Sequence, residues 1–85
     1  MTDQTRDWQF QQAHRSGDIT LLSTLYAQKA DELEAAGDTD AACFYLTQAY
    51  IFALDAGLPT AAVYNRRLAH FGRDDLLPDL NQQAE

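Results

Sequence analysis

Eighty-five residues leave room for one hydrophobic core and not for two, so the chain reads as a single domain. Six basic residues against thirteen acidic ones give a net charge of -7, which repels phosphate backbones and anionic membrane surfaces and argues against general nucleic-acid binding. Hydrophobic residues at 46%, among them one Trp, four Tyr and four Phe, supply an ordinary globular core and exclude disorder as the state of the whole chain.

Met1-Thr2-Asp3 lacks the basic and apolar regions of a leader peptide, and no apolar run approaches the ~20 residues of a membrane span. Cys43 is the only cysteine and has no internal disulfide partner, which points to a reducing compartment. A soluble, cytoplasmic protein is the expectation.

Along the chain, Gly17, Gly37 and Gly57 stand 20 residues apart, and the first two are followed by Asp18 and Asp38. A glycine ends a helix in the left-handed conformation, and an aspartate caps the free amides of the next one. Each interval therefore holds one helix and a short turn. The first helix is expected over residues 5–16, with Trp8, Phe10 and Ala13 as its apolar positions. The second, over 18–36, carries Leu22, Leu25, Tyr26, Ala30 and Leu33 at offsets of three and four, with Ser23, Thr24, Gln28, Asp31 and Glu32 on the other side.

The third, over 38–56, has no charge between Asp40 and Asp55. At about 100° per residue, Ala42, Ala49, Ala53 and Ala56 form a strip with Leu46 that admits a neighbouring helix closely. Phe44 and Ile51 point the opposite way, and Cys43, Tyr50 and Leu54 point to a side. Such a helix is either flanked by its own neighbours on both sides or offers a partner surface, and the expectation is a homodimer that buries part of Phe44, Ile51, Tyr50 or Leu54. The fourth helix, over 59–71, starts at Pro59, which suits a first turn. Its stripe is Ala61, Tyr64, Leu68 and Phe71, and Gly72 ends it. The tail, residues 73–85, with Leu76, Leu77 and Leu80, reads as a short capping helix or a loose end.

Gly37, Ala42 and Ala49, and again Gly57, Ala62 and Ala69, repeat a glycine followed by small residues five and twelve positions later. This pattern resembles the tetratricopeptide-type helical repeat, over roughly residues 18–72. The same offsets from Gly17 reach Leu22 and Lys29, and the helix pair of about 40 residues exceeds that family's 34. The resemblance implies an all-α, four-helix, up-down antiparallel array of helical hairpins and a function in protein or peptide recognition. It implies no reaction.

The chemistry-bearing residues point the same way. His14 and His70 lie on different segments without a second histidine at helical spacing, Asp38-Thr39-Asp40 lacks the remaining ligands of a calcium loop, and Cys43 has no neighbouring base. Neither a glycine-rich phosphate loop nor a nucleophile elbow occurs in the sequence. The reading is non-catalytic, with no cofactor and no metal. Arg66, His70 and Arg73 fall at i, i+4 and i+7 with Arg67 beside them, whereas the stretch between Ala30 and Asn65 has no basic residue and holds Asp31, Glu32, Glu34, Asp38, Asp40 and Asp55. This cluster is a solvated helix face or a clamp for a partner's carboxylate or phosphate. Two further readings come from other classes: a nucleic-acid-linked regulator using the basic fourth helix, and a small-molecule sensor lined by Tyr45, Tyr50, Phe52 and Tyr64.

Overall fold

The turns between helices repeat one hydrogen-bond pattern. A computed structural model describes residues 2–73, with side chains from Asp7 onward, and places four α-helices among them: α1 (Thr2–Ser16), α2 (Ile19–Ala35), α3 (Thr39–Ala56) and α4 (Thr60–His70). At the end of α1 the amide of Gly17 donates to the carbonyl of His14 and that of Asp18 to Ala13. The same pair recurs at Gly37 and Asp38, at Gly57 and Leu58, and at Gly72 and Arg73. This is the Schellman arrangement, in which the residue after the helix turns left-handed and two otherwise orphaned carbonyls find donors.

The residue after the glycine then opens the next element. Asp18 and Asp38 each close the preceding turn through the backbone and cap the following helix through the side chain. Asp18 Oδ1 accepts from the amide of Leu21 at 3.0 Å, and Asp38 Oδ1 from that of Ala41 at 3.2 Å. One aspartate thereby serves two helices. At α4 the same position is Leu58, and Pro59 precedes the first helical residue without a side-chain cap. The helix expected to begin at Thr5 begins at Thr2. The expected tail helix with Leu76, Leu77 and Leu80 lies outside the described residues.

Gly37 has φ +84°, and the space where a Cβ would stand is empty to 4 Å. The cost of a side chain there is therefore backbone strain and not a clash. Gly37→Ala is expected to destabilise the domain by about 1 kcal/mol in a urea titration. An unchanged midpoint would show that the turn relaxes out of the left-handed region.

Packing follows chain order: α1 lies on α2, α2 on α3 and α3 on α4. The Cα atoms span 49 × 31 × 13 Å, so the helices form an open, elongated stack and not a closed bundle. The main core joins Ala30 of α2, Cys43, Leu46, Tyr50 and Ala53 of α3, and Ala61 and Leu68 of α4. A second cluster joins Ala13 of α1 to Leu22 and Leu25 of α2, with Phe10, Tyr26 and Phe52 packed against it.

Small residues face one another at the α2–α3 contact. Ala42, Ala49 and Ala53 are buried on α3, and Ser23, Ala27 and Ala30 are buried at offsets of four and seven on α2. Helices lined with such residues approach closely, because no long side chain holds them apart. Ser23 corrects the sequence reading, which put it on the polar side of α2. It is buried, and its hydroxyl donates to the carbonyl of Ala49 at 2.7 Å. The closeness permitted by alanines on the facing helix brings a backbone carbonyl within reach, and a carbonyl with a free lone pair satisfies the hydroxyl.

Among the described residues no helix is long and apolar enough to cross a membrane.

Candidate interaction site

The outer face of α3 follows from its sequence. With α2 taking the alanine strip and α4 taking Cys43 and Tyr50, the remaining side of the helix carries Phe44, Ile51 and Leu54. These positions fall within about 80° of one another on a 3.6-residue helix. Their exposures are 59%, 44% and 49%, for side chains that ordinarily gain about 1.5–3 kcal/mol by burial. Tyr50 does not join them. It is buried in the main core, so this fourth residue of the expected partner surface serves the chain's own packing.

The four basic residues of the fourth segment separate into two pairs. Arg67 Nη2 donates to Asp31 Oδ1 at 2.7 Å and to Glu34 Oε1 at 3.0 Å, tying α4 to α2. Partial burial lowers the pKa of this guanidinium, but the two carboxylates outweigh it and the net direction is upward. Arg73 donates to Asp40 at the start of α3, and this bond, with the charge of Asp40, also moves its pKa upward. Three carboxylates of the acidic stretch, Asp31, Glu34 and Asp40, are thus taken by the chain's own arginines. Arg66 and His70 remain exposed and line a shallow cleft of about 230 Å³ with Val63, Phe71, Glu34 and Arg67.

An aromatic site joins Tyr45 and Phe52, two of the four residues read as a sensor lining, to Tyr26, Phe10 and His14. Tyr26 is its hub: its ring stacks on Phe52 at 5.7 Å and on Tyr45 at 6.0 Å, and meets Phe10 at 4.8 Å with the planes tilted. His14 stands edge-on to both Tyr26 and Phe52, with Nε2 3.4 Å from the Tyr26 hydroxyl. Beside this cluster lies an open cleft of about 380 Å³ whose walls include Asp7, Gln11 and His14 of α1, Tyr26 and Lys29 of α2, and Tyr45 of α3. The four aromatics expected to share a pocket do not line one cavity. Tyr45 and Phe52 stack on Tyr26, whereas Tyr50 belongs to the other core and Tyr64 packs against that core.

Burial pushes the Tyr26 phenol above its ordinary 10.0, and the neighbouring Tyr45 adds to the rise. The folded state thus holds the phenolic proton more tightly than the unfolded chain does. The corresponding stability is complete below the unfolded value and is lost as pH rises through and beyond it. Urea midpoints measured from roughly pH 9 to 11 should fall, and Tyr26→Phe should flatten that fall. An identical slope in the variant would assign the alkaline loss to other groups.

Among the described residues there is no group of three or more His, Cys, Asp or Glu side chains arranged to hold a metal ion. No protein-family model, curated protein or solved structure matches the chain.

Proposed function

We propose that this chain is a non-catalytic protein-interaction module that self-associates, with the outer face of α3 serving as a docking surface for another protein chain. The observation that carries the reading is the exposure of Phe44, Ile51 and Leu54 while α2 and α4 already occupy the rest of the helix. Apolar side chains gathered on one face mark interaction surfaces, whereas singly scattered ones do not. An up-down antiparallel order of TPR-like hairpins belongs to the same reading. It draws support from the chain-order packing and from the repeated glycine turns. A cytoplasmic setting is supported by the buried, unpaired Cys43.

The basic fourth helix lends less to a nucleic-acid reading, because Arg67 and Arg73 are engaged by carboxylates of their own chain. A net charge of -7 opposes it further.

The test replaces Ile51 and Leu54 together by aspartate. Both positions are exposed, so stability in urea should stay within about 0.5 kcal/mol per site. Proteins captured from the native host's extract by the wild-type chain should be lost by the folded variant. Equal capture by both would place the docking surface elsewhere.

A further inference from the structure

We infer that the second copy is seated on α1, by mutual insertion of Trp8 into the aromatic cleft of the partner copy. This inference rests on the self-association proposed above and specifies where it occurs.

Trp8 is the chain's one tryptophan and is 61% exposed, although tryptophan is among the most buried side chains on average and the commonest interface anchor. The cleft beside it has the chemistry an indole needs. Phe10, Tyr26 and Tyr45 bring aromatic surface, Asp7 and Gln11 bring acceptors for the indole N–H, and Lys29 brings a cation to the ring face. Its volume of about 380 Å³ falls in the range of small-molecule sites. Neither Asp7 nor Lys29 has an ion-pair partner among the described residues.

The knob cannot fill its own hole. Around α1, at about 100° per residue, Trp8 lies about 60° to one side of Gln11 and Asp7 about 40° to the other. Trp8 therefore stands on the flank of the same helix that walls the cleft, and a side chain does not fold back across its own helix. A knob and a hole on adjacent strips of one helix are self-complementary under a two-fold axis crossing near Gln11, which seats both indoles at once. The face of α3 offers no such reciprocity, since neither cleft described above is lined by Phe44, Ile51 or Leu54. Two copies of charge -7 repel, so the association is apolar in origin and strengthens as salt is added.

Because Trp8 is the only indole, its emission reports its seating directly. On concentration the wild-type spectrum should shift to shorter wavelength as the mass from sedimentation equilibrium rises from monomer to dimer. Trp8→Ala, and separately Gln11→Glu, which sets two like charges against each other at the axis, should each weaken the dimer at least about tenfold. Both positions are exposed, and an unchanged helical circular dichroism spectrum would confirm that each variant folds. A dimer that survives both substitutions but dissociates on Ile51→Asp would overturn the exchange and leave self-association standing, seated on α3. A wild-type chain that stays monomeric throughout would overturn both.

Discussion

Leu46→Ala is expected to cost about 2–5 kcal/mol, a loss at the upper end for single truncations in a domain of this size. Leu46 is 1% exposed and sits where α3 meets the main core. Its removal forfeits the transfer energy of the side chain and leaves a cavity, which helices already held in contact by alanines have little freedom to collapse. A domain of this size carries a total stability of roughly 4–13 kcal/mol, so the loss is a large fraction of what holds the fold. Urea titration followed by circular dichroism checks this, with a lowered midpoint and an unchanged slope as the expected result. A loss under about 1 kcal/mol would mean that the stack closes readily over the gap and that α3 is not its centre.

The opposite change at the neighbouring site should be nearly as damaging. Ala49 is 0% exposed, and its carbonyl accepts the buried Ser23 hydroxyl. Ala49→Leu forces α2 and α3 apart, at a cost of about 1–3 kcal/mol for overpacking and a further ~1 kcal/mol or more for a hydroxyl left without its acceptor. Ala62→Leu, on the exposed side of α4, is the control and should lie within about 0.5 kcal/mol of wild type. Equal effects at the two positions would indicate that the helices do not approach closely at Ala49.

These sites differ in how far the sequence announces them. The Gly37-Asp38 turn is legible because its determinants are local: the glycine supplies the left-handed residue and the aspartate reaches an amide three positions on. The alanine strip of α3 is legible for a related reason, since helical periodicity alone puts Ala42, Ala49 and Ala53 on one side. Ser23 was misread because its polarity says water, and only the closeness of a facing helix supplies the alternative partner. The sequence groups Tyr45 with Phe52 but hides Tyr26 and Phe10 as their partners on similar grounds. Phe10, Tyr26 and Phe52 lie on three helices, and their meeting depends on the axial register of α1 and α3 against α2, which no single helix encodes. Arg67 and Arg73 read as one basic face until Asp31, Glu34 and Asp40 are brought beside them from other helices. Exposed apolar positions on α3 were visible from the uncharged run, but Tyr50 shows that the run does not say which of them the neighbouring helix takes.

The claim of a self-associating interaction module is tested most directly by light scattering on the wild-type chain at tens of micromolar and moderate salt. A self-associating chain gives a mass approaching twice the 9.5 kDa of the monomer, falling on dilution. A constant monomer mass across that range would contradict self-association, and Trp8 on α1 would then have no second copy to cover it.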